Sequence, residues 1–300
     1  ELDLFSAVGD GCTAEEAAEV MGTDPRATQM LLDALAALDL VNKDGQRYRN
    51  SPDTHQFLRK GSEDDARAAI MNRVNMWDRW TTLTECVREG GSVGHELGSG
   101  PAATQAYIAA THKIASLAAP TLVEALKLPG LQRVLDVGGG SGAYTVALLN
   151  AYPDARAELL DLPAVTRIAT RYVREAGLEH RVTMRGGNFM VDPLGAGFDL
   201  VLLSYVMHLR GPEPNKRLLA KAFDALEPGG RVVINDYVLG ADRTSPRAAA
   251  LYALNMLVSS HDGDVFSLEQ YRQWLQGAGF VDIRKVAVLG PTDIVTARKP

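Results

Sequence analysis

The rhythm of apolar positions changes near residue 133. Before it, hydrophobic residues recur at helical spacing. The chain is amphipathic at once, with Leu2, Leu4, Phe5 and Val8. Thr13 followed by Glu16 is a capping-box pattern that opens a helix through Met21. Asp24 then Pro25 supplies a cap and a proline at the first helical position, ahead of Met30, Leu31, Leu35 and Leu38. The runs Leu38–Val41 and Gln46–Arg49 flank Asn42-Lys43-Asp44-Gly45, which predicts a hairpin. Residues 64–89 read as one long helix carrying Met71, Met76, Trp77 and Trp80. A glycine-rich stretch at 90–100 marks a joint, and a helical segment covers 103–127.

From Arg133 onward, short apolar or β-branched runs alternate with helical stretches. Val134–Val137, Ala157–Leu160, Arg181–Met184, Phe198–Leu203 and Arg231–Asn235 predict a parallel, doubly wound sheet. The segments 281–289 and 292–297, joined by Gly290-Pro291, predict an antiparallel pair at one sheet edge. A chain of 300 residues suits two domains. The expected division is a mainly helical, winged-helix-like domain over 1–100 and an α/β domain over 101–300.

The segment Arg133-Val-Leu-Asp-Val-Gly-Gly-Gly-Ser-Gly-Ala-Tyr144 is a buried strand, a glycine-rich turn and the start of a helix. Glycines let the turn bend tightly and let a ligand lie against bare backbone. The helix N-terminus adds N–H groups and a positive dipole end. Asp161 closes the second strand nineteen residues after Gly142, where a carboxylate can accept both hydroxyls of a ribose. Taken alone, the motif leaves an NAD enzyme open, because Gly138, Gly140 and Ala143 fit the looser dinucleotide spacing. Asp136, inside the strand before the glycines, is not required by that fingerprint.

Composition narrows the field. The hydrophobic fraction is 46% and the charged fraction 23%, ordinary for a globular protein. No apolar run approaches the roughly 18 residues of a membrane span. Cys12 and Cys86 stand far apart without a CxxC pattern, which argues against a disulfide framework or zinc site and fits the cytoplasm. The chain begins at Glu1, so an upstream piece is expected to be missing. Residues 1–60 hold six basic and eleven acidic residues, the wrong sign for a winged helix that reads DNA. No clustered histidine and cysteine set predicts a catalytic metal.

Taken in order, the motifs resemble a known family. VLDVGGGSGA, then Asp161-Leu162-Pro163, then Gly186 to Met190 (GGNFM), is similar to the S-adenosylmethionine-dependent small-molecule O-methyltransferases. FDLVLLSYVMH, GPEPNKRLL, LEPGGRVVINDYVL and WLQGAGF continue the resemblance across essentially the whole chain. It implies a Rossmann-like methyltransferase domain and a dimerising N-terminal domain, hence a homodimer. It implies S-adenosylmethionine as cofactor, with Gly138 and Gly140 near its methionine portion, Asp161 at the ribose, and Asp136 and Leu162 also at the cofactor. Asn188 and Phe189 would sit at the adenine, and Ser204 stands where some members have a lysine. Asn188 replaces the family's usual acid.

The resemblance also places a catalytic histidine at His208 and a flanking acid at Asp236. A hydroxyl is a poor nucleophile until its proton leaves, and an imidazole removes protons near neutrality. A carboxylate fixes the ring's tautomer. The family's histidine is commonly followed by Asp-Trp, whereas Leu209-Arg210 follows here. Asp262 or Asp264 is the candidate for a second flanking acid. Trp80, Met207, Met256 and Ser260 are expected at the acceptor, with Met71 and Met76 as weaker candidates. His112 and Tyr107 lie on a helix that approaches the cofactor in relatives, and His55, His95 and His180 are expected at the surface. The expected function is methyl transfer to a hydroxyl of a small organic acceptor. Sulfur, nitrogen or carbon acceptors remain as alternatives, as does a relative that binds the cofactor without transferring its methyl.

Overall fold

In the N-terminal part the sequence signals act locally. The computed structural model describes residues 1–62, 64–67, 70–71, 74, 76–93, 100–288 and 290–300. They fall into two compact units, Glu1–Arg73 and Val74–Pro300. The capping box forms: Thr13 Oγ1 accepts the Glu16 N–H at 3.3 Å while Glu16 accepts the Thr13 N–H at 2.8 Å. It starts the Ala14–Met21 helix. Asp24 caps the Pro25–Ala37 helix by accepting the Ala27 N–H at 2.8 Å. Strands β1 (Cys12–Thr13), β2 (Val41–Asp44) and β3 (Arg47–Asn50) form an antiparallel sheet in the order β1-β3-β2. The hairpin turn falls on Gly45-Gln46 rather than on 42–45. Asp39 takes φ +58° as the chain leaves the helix, so the first strand begins only at Val41. Leu4, Val8, Leu32, Val41 and Tyr48 make this unit's core.

The second unit opens with the helices Trp77–Thr81 and Leu83–Glu89, not with a continuation of one long helix. The break is at Thr82, whose N–H and hydroxyl both donate to the Arg79 carbonyl, at 3.1 and 2.8 Å. That local bond competes with the helical ladder. Both short helices pack on the Arg247–Ser259 helix. Residues 94–99 of the glycine-rich joint, and with them His95, lie outside the described residues.

The main sheet contains β4 (Arg133–Val137), β5 (Arg156–Asp161), β6 (Val182–Gly186), β7 (Phe198–Ser204) and β8 (Leu226–Asp236). A separate short parallel pair joins β9 (Val238–Leu239) to β10 (Phe266–Ser267). The main sheet is completed by β11 (Val281–Ala287) and β12 (Asp293–Arg298), in the order β11-β12-β8-β7-β4-β5-β6. β12 runs antiparallel to both its neighbours, β11 and β8, while the other six strands share one direction. The expected antiparallel pair is present, but the reversed strand lies one place in from the edge and β11 forms the edge. Leu289, the end of the expected run, lies outside the described residues.

Alternation along β7 shows why these strands are apolar throughout. Val201 and Leu203 enter one core cluster with Leu135, Ile234 and Trp274. Leu200 and Leu202 enter the other with Val134, Leu148 and Val233. Helices cover both faces, so both sets of side chains are buried. The chain runs from β4 outward to β5 and β6, then returns to β7 and β8 on the other side. The strand order therefore reverses between β4 and β7, and ligands of such sheets bind outside the carboxyl ends at that reversal. Among the described residues, no helix is long and apolar enough to cross a membrane.

Gly142 joins the glycine turn to the Ala143–Ala151 helix with φ +81°. A Cβ there would stand 3.1 Å from Leu159 and 3.2 Å from Val173. Gly142→Ala is expected to lose about 1–3 kcal/mol through left-handed strain and overpacking. Urea unfolding of the two proteins measures it; equal midpoints and slopes would contradict the packing described.

Candidate active site

The carboxyl end of β4 passes straight into the glycine turn. Gly138 and Gly140 take φ +69° and +58°. The Gly140 N–H donates to Asp161 Oδ2 at 2.9 Å, and the Leu162 N–H donates to Oδ1 at 2.7 Å. The ends of β4 and β5 are thus tied together by one carboxylate. Burial pushes the Asp161 carboxyl above its usual range, while these two N–H groups pull the other way. Each oxygen keeps lone pairs for further donors such as ribose hydroxyls. A Cβ built on Gly140 meets nothing within 4 Å, so bare backbone faces open space beside Asp161. Such a cradle fits a nucleoside cofactor. Phe189 lies against Gly138 and is half-buried. Asn188 is exposed, and its Oδ1 accepts the Met190 N–H at 3.0 Å. Leu162 is exposed beside Asp161.

Asp136 lies beneath this surface rather than on it. It is 1% exposed, with Oδ2 accepting from Thr145 at 2.6 Å and Oδ1 lacking a hydrogen-bond partner among the described residues. Gly139 covers it so closely that an added Cβ would stand 2.9 Å from its carboxyl carbon. Ser204 is likewise set behind the crevice. Asn235 Nδ2 donates to its hydroxyl at 2.9 Å and to the Tyr144 hydroxyl at 3.2 Å, making a buried polar knot between β7, β8 and the Ala143–Ala151 helix.

Beyond the β7 end the chain turns sharply. Tyr205 takes φ +58°, a costly conformation for a tyrosine, and its N–H donates to the Asn235 carbonyl at 2.9 Å. His208 therefore lies beyond the strand, in the single-turn 3-10 helix Met207–Leu209. Asp236 does end β8, at 0% exposure. Its Oδ1 is 2.7 Å from His208 Nδ1, and its Oδ2 accepts the His208 N–H at 3.2 Å. Tyr252 places its hydroxyl 3.4 Å from His208 Nε2. Tyr205 meets the imidazole edge-on at 6.2 Å, and Tyr237 stacks on Tyr252 at 3.9 Å.

The remaining candidates divide. Met256 is buried one turn from Tyr252 on the same helix, and Trp80 is half-buried on a helix that packs there. Met207 is fully buried in the core with Leu218 and Leu219. Ser260 follows the end of the Arg247–Ser259 helix. Its hydroxyl donates to the Met256 carbonyl at 2.7 Å and accepts the Gly263 N–H at 3.0 Å, clasping the helix end. Both candidates for a second acid are bonded to groups other than the His208 ring. Asp262 accepts the Gly211 N–H, and Asp264 pairs with Arg243. Tyr252, Tyr237, Tyr205 and Asn235 were missed. The four-residue step from Tyr252 to Met256 was a usable helical signal; the turn at Tyr205 left none. His112 bonds Ser141 in the glycine turn at 2.8 Å and stacks on Tyr172 at 3.8 Å. That pair opens onto a groove of about 540 Å³ behind the Ala143–Ala151 helix, away from His208.

A doubly wound sheet, a glycine turn tied to an acid, and a buried His–Asp pair at neighbouring strand ends define a nucleoside-cofactor enzyme. Comparison with known proteins narrows this. A family model described as an O-methyltransferase domain matches residues 80–281. The chain is 32% identical to the tetracenomycin polyketide synthesis 8-O-methyl transferase TcmO of Streptomyces glaucescens, across 100% of this chain and 91% of that protein. It is 31% identical to the N,N-dimethyltransferase OxyT of Streptomyces rimosus, over 93% of this chain and 84% of that one. The crystal structure of human N-acetylserotonin methyltransferase in complex with S-adenosylmethionine superposes with a TM-score of 0.87 at 25% identity, covering 99% of this chain and 91% of that one. The chain belongs to the O-methyltransferase family. It is an S-adenosylmethionine-dependent methyltransferase.

Burial raises the Asp136 carboxyl to about 6, against the opposing Thr145 hydrogen bond. A carboxyl raised in the folded state stabilises the fold below its unfolded value, and that contribution is lost as pH rises through about 6. Between pH 4 and 8 the Asp136→Asn variant should therefore gain on the wild type by roughly 2 kcal/mol. Paired urea titrations across this range measure the difference; a gap that does not change with pH would contradict the buried, ionisation-opposed carboxyl.

Proposed function

We propose that the protein transfers a methyl group to a hydroxyl of a small aromatic acceptor, with His208 as general base and Asp236 as its orienting acid. The observation that carries this reading is the buried 2.7 Å contact between His208 Nδ1 and Asp236, with Nε2 turned to a hydroxyl. A carboxylate on Nδ1 selects the tautomer whose Nε2 lone pair accepts a proton. S-adenosylmethionine supplies a methyl carbon already activated on a sulfonium. The chain's residues then have to orient the acceptor, exclude water and take its proton. Gly138 and Gly140 would lie against the methionine portion, Asp161 and Leu162 at the ribose, and Asn188 and Phe189 at the adenine. Asp136 and Ser204 support these positions from beneath. Met256 and Trp80 would bound the acceptor. The similarity to TcmO, whose name specifies an oxygen on a polyketide, supports an aromatic hydroxyl.

The similarity to OxyT supports a second reading, a nitrogen acceptor. A neutral amine already carries its lone pair and would depend less on His208. Two substitutions separate the roles. His208→Ala should lower kcat for a hydroxyarene by roughly 10²–10⁴-fold with little change in S-adenosylhomocysteine affinity. Asp161→Ala should weaken that affinity at least roughly tenfold, through lost charge-assisted hydrogen bonds. Calorimetry and steady-state kinetics read both. Near-normal turnover in His208→Ala would reject the base, and unchanged affinity in Asp161→Ala would reject the ribose site.

A homodimer built mainly through the N-terminal domain, 1–100 in the sequence reading, is part of the same proposal. Val20, Met30 and Leu38 are exposed apolar residues on a unit too small to bury all its apolar surface alone. Sedimentation over a concentration series should give a dimer mass. A monomer at every concentration would refute it.

A further inference from the structure

The side of His208 that faces away from Asp236 is met by Tyr252. With Nδ1–H directed at Asp236, Nε2 carries a lone pair, so the phenol is the donor across the 3.4 Å gap. The Tyr252 ring is held in two ways. It stacks on Tyr237 at 3.9 Å and 15°, and it meets the imidazole at 86° with centroids 5.1 Å apart. The Tyr237 N–H in turn donates to Asp236 Oδ1 at 2.8 Å. One carboxylate therefore fixes both the imidazole and the aromatic plate on which the phenol rests. Burial, and then the Asp236 charge, push the Tyr252 phenol above its ordinary value, so it remains a donor at neutral pH.

We propose that Tyr252 is an acceptor-binding residue: its hydroxyl holds the acceptor oxygen's place at Nε2 in the resting site, then donates to that oxygen when a hydroxyarene binds. This rests on the reading of His208 as base. The contact is long for an O–H donor, so exchanging it for an incoming hydroxyl costs little. As the acceptor proton passes to Nε2, negative charge grows on the acceptor oxygen. A second hydrogen bond from Tyr252 stabilises that charge, because bonds to ionised acceptors are the stronger ones. Nε2 takes the proton while Tyr252 holds the oxygen. The residue is thus a selector for acceptors that form an aromatic oxyanion.

Tyr252→Phe keeps the stacked ring and removes the hydroxyl; Tyr252→Leu removes both. Ring-nitrogen NMR of the six histidines in the S-adenosylhomocysteine complex, with His208 assigned by its loss in His208→Asn, reads the contact without any acceptor. In Tyr252→Phe the Nε2 resonance should move to that of an unbonded acceptor while Nδ1 stays. Turnover of 2-naphthol and its ring-substituted analogues should fall about 10- to 100-fold in kcat/KM, mostly in kcat, with cofactor affinity unchanged. Tyr252→Leu should add a rise in KM. An unmoved Nε2 resonance, or a Phe variant within twofold of wild type, overturns the proposal. If wild type turns over none of these hydroxyarenes, the aromatic-hydroxyl reading falls instead, and the Nε2 resonance alone decides whether Tyr252 holds His208.

Discussion

The buried Asp236 carboxylate is the contact on which the site depends. At 0% exposure it needs internal partners, because an unpaired charge in an apolar interior is costly. It finds them in the His208 ring, the His208 N–H and the Tyr237 N–H. All three lie at the carboxyl ends of β7 and β8. The partners are local only because the sheet places these two strands side by side, with Ser204 opposite Asn235. Topology thus creates a pocket of backbone donors, and one acid there fixes an imidazole that would otherwise rotate.

A parallel arrangement holds the cofactor side. Asp161 closes β5 and accepts the N–H of Gly140 in the turn that leaves the neighbouring strand β4. Each half of the crevice therefore has a carboxylate that ends one strand and clamps the turn leaving its neighbour. The turns themselves are left-handed, at Gly138 and Gly140 on one side and at Tyr205 on the other. Glycine accepts that conformation easily. Tyrosine does not, and the Asn235 carbonyl and the polar knot around Ser204 hold it there.

Much of this was legible in the sequence because burial and turns leave local marks. Apolar runs announced the five parallel strands, and the glycines with Asp161 announced the nucleoside crevice. The ordered motifs pointed to His208 and Asp236. What was not legible depended on geometry beyond spacing. A methionine next to a strand end looks alike whether it faces a cleft or the core, and Met207 went to the core. Ser260 looked available but is consumed by its own helix end. Asp262 and Asp264 are acids of a plausible segment, yet Gly211 and Arg243 claim them. The Thr82 break is set by side-chain competition for a backbone carbonyl, which periodicity does not encode. Tyr252 was hidden among apolar residues of an unremarked helix.

In the proposed reaction the acceptor oxygen stands between His208 and the cofactor at the ends of β7 and β8. The most direct test is a crystal structure with S-adenosylhomocysteine and a hydroxyarene that the enzyme turns over. The account predicts the acceptor oxygen within hydrogen-bond reach of His208 Nε2, about 2.6–3.2 Å, and facing the cofactor sulfur in line. An acceptor seated with its reactive oxygen away from Nε2, while the sulfur still lies beside Gly138 and Gly140, would contradict it.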